Sequence, residues 1–350
     1  MRVIIGGGGT GGHIFPAISI AGALKKADPD TQILFVGAKG RMEMEKVPAA
    51  GYEIRGLEIE GLRRSLSPRN ILVAVKTLRA RRKAKSIVKE FRPDAVVGVG
   101  GYASAPVVMA AQKMGIPTLI QEQNSYAGVS NRLLGKKADS ICVAYDGMQR
   151  FFPAHKIVFT GNPIREGIRP SSEEGGGNRL LVLGGSLGAR SINEAMAAWV
   201  QAGIPEGIEV LWQCGKYYYE QYKAFDNGSS VRVRAFIEGI DREMAAADVV
   251  VSRAGASTVS ELCVARKAVV FVPSPNVAEN HQYHNAMAIA GNEAALCVLD
   301  SEAIAELPKA VMSLFDDPSR RARICGNIAK FARPEAAKDI VKEIYRIAGK

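Results

Sequence analysis

Asp248-Val249-Val250-Val251-Ser252-Arg253-Ala254-Gly255-Ala256-Ser257-Thr258-Val259-Ser260-Glu261 is the stretch whose reading decides the fold. A run dominated by valine suits a buried strand, the small residues around Gly255 suit a turn, and Thr258 to Ala265 takes up helical spacing. A strand that passes through a glycine turn into a helix aims free backbone N–H groups and the positive end of the helix dipole at one point, which suits a phosphate. Glu261, one turn in, can accept both hydroxyls of a ribose, as acidic groups do in nucleotide-binding βα units. The same letters carry a second reading: Thr258-x-x-Glu261 is the pattern of a capping box, which needs no ligand.

The same unit recurs elsewhere in the chain. Leu180 to Leu183 reads as a strand, Gly184-Gly185-Ser186-Leu187-Gly188-Ala189 as a glycine turn, and Arg190 opens a helix. In the first half, Arg2 to Ile5 is a strand, Gly6 to His13 a bare glycine loop, and Ile14 to Ala27 a helix with Ile14, Ile18, Ala21 and Leu24 near one face. Ala95 to Val99, Gly100 to Pro106 and a helix to Met114 make a third unit, again offering N–H groups to a phosphate. Further strands are expected at Gln32 to Val36, Ile116 to Ile120, Lys156 to Phe159, Ile208 to Trp212, Val231 to Ala235, Ala268 to Val272 and Ala295 to Val298, with helices from Pro308 onward. Two halves that open alike imply an α/β protein of two facing domains, residues 1–163 and 164–350, with a cleft between them and the last helix free to pack back on the first domain. The Pro, Ser and Gly-rich stretch Arg169 to Asn178 is the linker candidate.

Several residues invite a chemical reading. Gly6, Gly8 and Gly11 satisfy G-x-G-x-x-G, but the next strand ends in Gly37-Ala38, where a nicotinamide-adenine site wants an acid; Lys39 and Arg41 leave an NADP site open. His13 stands at a helix start, where the dipole favours a neutral ring that can take a proton; a structural role is the alternative. Asp28-Pro29-Asp30 spells a metal-binding Asp-x-Asp, yet a proline turn holds carboxylates poorly for a cation. Gln121-Glu122-Gln123-Asn124 is a polar cluster expected where a strand meets solvent, facing the crevice. Gln282 could read sugar hydroxyls or lie in a solvated loop.

Composition bounds the answer. With 350 residues, two domains are expected. The five cysteines are odd in number, scattered and never in a Cys-x-x-Cys pair, which argues for a reducing compartment; with four histidines and no ligand spacing, no metal site is expected. No signal peptide and no apolar run of about 20 residues is present, so a cytoplasmic protein without a spanning segment is expected. The net charge of +11 is lopsided: residues 1–165 hold 25 Lys and Arg against 12 Asp and Glu, the remainder 21 against 23. Residues 61–92 concentrate the excess, with 11 basic residues against Glu90 alone, beside Ile71, Leu72, Val75 and Leu78 at helical spacing. Such a field wants an anionic partner: nucleic acid, a membrane surface or a phosphorylated substrate. No nucleic-acid recognition motif accompanies it.

Seven motifs in order carry a resemblance: Gly9-Thr10-Gly11-Gly12-His13-Ile14-Phe15-Pro16, Gly100-Gly101-Tyr102-Ala103-Ser104-Ala105-Pro106, Glu122-Gln123-Asn124, Gly161-Asn162-Pro163-Ile164-Arg165, Gly184 to Arg190, Ser252 to Glu261, and His281-Gln282. The chain resembles the MurG family, bacterial UDP-N-acetylglucosamine (UDP-GlcNAc) transferases that complete the lipid-linked disaccharide of peptidoglycan. The resemblance implies a GT-B architecture of two Rossmann-like domains, inversion at the anomeric carbon, and neither metal nor other cofactor. It implies UDP-GlcNAc in the second domain, with Ile237 against the uracil, Ala256, Ser257, Thr258, Val259 and Ser260 around the diphosphate and uridine, Glu261 on the ribose and Gln282 on the sugar. Thr10, Gly11, Gly12, Asn124, Arg165 and Ser186 would complete that site. The acceptor, an undecaprenyl-diphosphate-linked muramoyl-pentapeptide, would lie on the first domain with His13 as base. Some relatives have two glutamines where this chain has His281-Gln282. The basic segment 63–92 would then meet an anionic membrane surface at the cytoplasmic face. Other GT-B enzymes, a lipid glycosyltransferase or a UDP-GlcNAc 2-epimerase, share the implied architecture. An NADP oxidoreductase explains only the first loop, and a nucleic-acid binder only the charge.

Overall fold

The structure, a computed structural model, describes residues 1–59, 69–170, 177–185 and 187–350, without the side chains of 69–75. Ser186, residues 60–68 with Arg63 and Arg64, residues 171–176 of the linker candidate, and the side chains of Ile71, Leu72 and Val75 therefore lie outside the described residues. The chain divides into two compact units, one of Met1–Arg165 with Pro334–Lys350, the other of Glu166–Arg333.

Unit 1 alternates strand and helix: β1 (Arg2–Gly6), α1 (Gly11–Ala27), β2 (Gln32–Ala38), α2 (Glu43–Ala49), β3 (Glu53–Leu57), α3 (Arg69–Phe91), β4 (Ala95–Gly98), α4 (Ser104–Lys113), β5 (Thr118–Glu122), α5 (Val129–Gly135), β6 (Ser140–Val143) and β7 (Ile157–Phe159). Among the described residues its strands form one parallel sheet in the order β3-β2-β1-β4-β5-β6-β7. Aliphatic runs form the inner strands, such as β1, β4 and β5, because a parallel sheet is covered on both faces. Val3 and Ile5 point to the face packed by α1, while Ile4 points to the face packed by α3 and α4.

Unit 2 repeats the plan with β8 (Arg179–Leu183), α6 (Arg190–Ala202), β9 (Glu209–Gln213), α7 (Tyr219–Tyr222), β10 (Val231–Arg234), α8 (Ile240–Ala246), β11 (Val249–Ser252), α9 (Ala256–Ala265), β12 (Ala268–Phe271), α10 (His281–Ala290), β13 (Leu296–Cys297), α11 (Ala303–Phe315) and α12 (Pro318–Ile328). Its parallel sheet runs β10-β9-β8-β11-β12-β13. The last helix, α13 (Ala336–Ile347), returns to unit 1, where Ile340, Val341 and Ile344 join the core beside Ile14, Ile20 and Leu24 of α1.

Three local differences from the sequence reading have physical causes. β3 alternates charged Glu53 and Arg55 with partly covered positions at the sheet edge, so no apolar run announces it. The first helix begins at Gly11, three residues before its apolar face, because the Thr10 carbonyl already accepts from His13 and Ile14 N–H. Leu78 of α3 is 51% exposed; the core face is Ala80, Ala84, Ile87 and Val88. At 100° per residue Leu78, Arg82, Lys85 and Lys89 share the opposite stripe.

Candidate functional site

In each unit the strand order reverses once, between β1 and β4 and between β8 and β11. Ligands of open parallel sheets gather outside the carboxyl ends of the strands at such a point.

In unit 1 the loops after β1 and β4 press together there. A side chain on Gly101 would run into the Gly8 backbone, and a Cβ on Gly100 would stand 2.8 Å from Cδ2 and Nε2 of His13. Both glycines have positive φ, +95° at Gly100 and +82° at Gly101, so space and backbone alike require glycine. Thr10 is the N-cap of α1 but makes no side-chain cap bond; its Oγ1 lies 3.2 Å from His13 Nδ1. Gly11 and Gly12 are the first two helical residues and His13 the third. His13 Nδ1 is also 3.1 Å from the Gly8 carbonyl oxygen. A carbonyl can only accept, so the neutral ring carries its proton on Nδ1, and Nε2 is the basic nitrogen.

The cluster Gln121-Glu122-Gln123 does not meet solvent as the sequence suggested. All three residues are buried. The Glu122 carboxylate accepts from Asn124 N at 3.0 Å, Asn124 Nδ2 at 3.3 Å, Gly128 N at 3.1 Å and Asn131 Nδ2 at 2.9 Å. Gln123 Nε2 donates to the Val99 carbonyl at 2.8 Å, and Asn162 Nδ2 to the Gln123 carbonyl at 2.9 Å. The cluster is an internal brace that fixes Asn124 and ties it to the strand leading into the second glycine loop. Burial pushes the Glu122 carboxyl above its ordinary range against the pull of those four donors. Arg165, the last residue before unit 2, is exposed.

In unit 2 a cavity of about 790 Å³ opens at the carboxyl ends of β8, β11 and β12, with Gly184, Gly188, Ser191, Arg253, Gln282 and Asp300 among its walls. Gln282, second residue of α10, accepts from Ser274 N–H at 2.9 Å through Oε1, which sets its amide orientation. Arg253 donates to the Val272 carbonyl at 2.9 Å, to Ser191 Oγ at 3.1 Å and to the Asp300 carboxylate, which also accepts from Ser191 Oγ at 2.5 Å. Sequence reasoning passed over this triad. The available signal was Arg253 itself, one long cationic side chain at a strand end among small residues; nothing local ties it to Ser191 or Asp300, 62 and 47 residues away.

Among the described residues of unit 2, Ile237, Ala256, Ser257, Thr258, Val259, Ser260 and Glu261 do not line that cavity. Ile237 is buried and its N–H donates to Gln213 Oε1 at 3.0 Å. α9 begins at Ala256, with the Gly255 carbonyl accepting from Val259 N–H at 2.9 Å. Thr258 is thus the third helical residue and Glu261 the sixth, so the capping-box reading fails: the box needs Thr258 outside the helix, and the turn closes before it. Ala256, Val259 and Glu261 are buried, Ser257, Thr258 and Ser260 partly so. The Ser257 Oγ is buried and makes no hydrogen bond among the described residues. Among the described residues no group of three His, Cys, Asp or Glu is placed to hold a metal ion. None of the described helices is long and apolar enough to cross a membrane.

Residues 3–143 match the glycosyltransferase family 28 N-terminal domain, and residues 179–343 the glycosyltransferase family 28 C-terminal domain. The chain belongs to glycosyltransferase family 28. It is 49% identical over 99% of its length to a protein of Bacteroides thetaiotaomicron, of which 98% is covered, and 50% identical over 99% of its length to one of Porphyromonas gingivalis, of which 96% is covered. Both relatives are named UDP-N-acetylglucosamine--N-acetylmuramyl-(pentapeptide) pyrophosphoryl-undecaprenol N-acetylglucosamine transferase. The crystal structure of Acinetobacter baumannii MurG superposes with a TM-score of 0.83 at 29% identity, over 99% of both chains. A UDP-GlcNAc 2-epimerase of Neisseria meningitidis superposes with a TM-score of 0.65 at 13% identity, over 99% of this chain and all of that one, a likeness of fold alone. The family 28 chain is therefore a glycosyltransferase with the two-unit α/β architecture called GT-B.

Proposed function

We propose that this family 28 enzyme transfers N-acetylglucosamine from UDP-GlcNAc to the 4-hydroxyl of an undecaprenyl-diphosphate-linked N-acetylmuramoyl-pentapeptide. The observation that carries the reading is the likeness, over nearly the whole length, to relatives named for this transfer. Unit 2 takes the donor: Ile237 against the uracil, Ala256 to Ser260 at the diphosphate and uridine, Glu261 on the ribose and Gln282 on the sugar hydroxyls. The buried, unsatisfied Ser257 hydroxyl in the first turn of α9 supports a ligand there, since such groups are ordinarily paired. Backbone N–H groups and the dipole of that turn stabilise UDP as it leaves. Unit 1 takes the acceptor, whose diphosphate meets the two glycine loops, and Thr10, Gly11, Gly12, Asn124, Arg165 and Ser186 are assigned to UDP-GlcNAc.

His13 Nε2 removes the proton of the acceptor hydroxyl as that oxygen attacks the anomeric carbon from the side opposite UDP, inverting it. The Gly8 carbonyl on Nδ1 stabilises the imidazolium that results. The outward stripe of α3, with Arg82, Lys85 and Lys89 around exposed Leu78, adsorbs the enzyme to the anionic cytoplasmic leaflet where a lipid-linked acceptor is found. Release of UDP from UDP-GlcNAc, measured with and without a lipid-linked muramyl acceptor, tests the proposal. Acceptor-dependent release with a new β-1,4 disaccharide is expected; acceptor-independent release with epimerised sugar would replace the transfer by epimerisation.

A further inference from the structure

Glu43, the first residue of α2, belongs to none of the motifs above. It is 1% exposed, and carboxylates are seldom buried without a specific partner. Its partners are two backbone N–H groups on different loops: Oε1 accepts from Ala38 N–H at the end of β2, and Oε2 from Gly9 N–H in the glycine loop after β1, each at 2.9 Å. Two glycines make room for it. A Cβ on Gly37 would stand 2.6 Å from Glu43 Cγ, and one on Gly8 would collide with the carboxylate.

The Gly9 N–H and the Gly8 carbonyl are two ends of one peptide group. That group is planar and trans, so the N–H and the C=O point in opposite directions and cannot turn independently. Glu43 grips the N–H end, and the C=O end lies 3.1 Å from His13 Nδ1. Flanked by two glycines with φ of +145° and +88°, the peptide has little steric reason of its own to hold this orientation. The carboxylate supplies one. It also polarises the peptide, which strengthens the carbonyl as an acceptor for Nδ1–H.

We propose that Glu43 is a positioning residue that acts through the Gly8–Gly9 peptide to fix the tautomer and orientation of His13. The proposal rests on His13 being the base, and the test separates the two claims. In the full chain, with ¹⁵N-labelled imidazoles, long-range proton–nitrogen spectra read the tautomer directly, and His13→Ala assigns the His13 signals among the four histidines. The wild type is expected to show Nδ1 protonated and Nε2 bare. Glu43→Gln, which can accept only one of the two N–H groups, is expected to show a mixture. Its turnover is expected to fall roughly 10- to 100-fold, as for a misplaced reacting group, with KM for UDP-GlcNAc changed by less than about twofold. In a His13→Ala background the same substitution is expected to change turnover by less than about twofold. Glu43→Asp, charged but too short to hold both loops, is expected to behave alike and serves if Glu43→Gln does not fold. An unchanged tautomer, or an equal loss of rate in both backgrounds, overturns the proposal. Near-normal turnover of His13→Ala instead overturns the assignment of the base, and the tautomer measurement still answers for Glu43.

Discussion

Asp300→Asn removes one negative charge from the cavity wall of unit 2 while keeping its shape, and the expected effects on stability and on binding differ in sign. The Asp300 carboxylate accepts from Ser191 Oγ and from Arg253 through the same oxygen, Oδ1. An asparagine carbonyl can accept from both, so the bonds survive and the charge does not. A hydrogen bond to an ionised group contributes about 1.5 to 3 kcal/mol and a neutral one about 1 kcal/mol. The two side chains are 18% and 26% exposed, so solvent screening places the loss at the low end, about 1 kcal/mol of stability. An anion in the cavity feels the opposite change. A volume of about 790 Å³ taken as a sphere has a radius of roughly 6 Å. At an effective dielectric of about 40, removing a unit charge at that distance favours each unit of anionic charge by 332/(40 × 6), about 1.4 kcal/mol. UDP should therefore bind more tightly to Asp300→Asn at low salt, by up to about tenfold for each unit of its charge that lies within the cavity. The gain should fade at about 1 M salt, where the screening length is roughly 3 Å. Titration calorimetry with UDP at low and high salt, beside thermal melts, measures both effects. Weaker UDP binding by Asp300→Asn, or tighter binding indifferent to salt, would refute this reasoning and make the carboxylate a direct ligand of the nucleotide.

Glu261→Ala should weaken UDP-GlcNAc binding by about 1.5 to 3 kcal/mol, ten- to a hundredfold, the range of a charge-assisted hydrogen bond; unchanged donor affinity by calorimetry removes it from the ribose. Replacing Arg82, Lys85 and Lys89 by Glu should abolish cosedimentation with anionic vesicles, since each cation on the outward stripe contributes about 1 kcal/mol at such a surface. Turnover of a water-soluble acceptor should be spared, and vesicle binding that survives the triple change makes the stripe ordinary surface. Lys83 is a poorer choice because its Nζ already holds the Gly56 carbonyl at 2.8 Å. Glu343 on α13 is held below the ordinary carboxyl value of 4.5 by Arg346 first and also by the Ser140 hydroxyl, while burial opposes them. Its folded pKa is depressed, so its contribution to unit 1 is complete above pH 4.5 and is lost as pH falls through the folded value. Acid melts should show the wild type losing stability faster than Glu343→Gln below that point, and parallel curves would assign the acid sensitivity to other carboxylates.

Much of the fold was legible because its information is local. Aliphatic runs such as Val249 to Val251 and the glycine turns after them announce strand, loop and helix within about fifteen residues. β3 was not legible, since an edge strand with Glu53 and Arg55 has no apolar run. The site was legible where function demands a residue type at a loop, as with the glycines around His13. It was not legible where the demand is met across the fold. Glu43 is recognisable only once Gly9 lies beside it, 34 residues away, and Asp300 only once it meets Arg253. Gln121 to Gln123 misled for a related reason: polar letters at a strand end suggest solvent, whereas here their partners are the Val99 carbonyl, the Gly128 N–H and the side-chain amide of Asn162.

The return of α13 to unit 1 has a consequence for how the chain is made. Unit 2 is continuous from Glu166 to Arg333, while unit 1 is split around it. A chain emerging from the ribosome therefore presents all of unit 2 before unit 1 is whole. Until Ile340, Val341 and Ile344 arrive, the surface of α1 that they cover is open, and with it the support of the helix that begins beside His13. The usual order, in which the N-terminal domain matures first during synthesis, is reversed here: unit 2 can reach its final state while unit 1 waits. A nascent chain stalled before Pro334 should carry a protease-resistant second half and a labile first half, which is a natural place for a chaperone to bind.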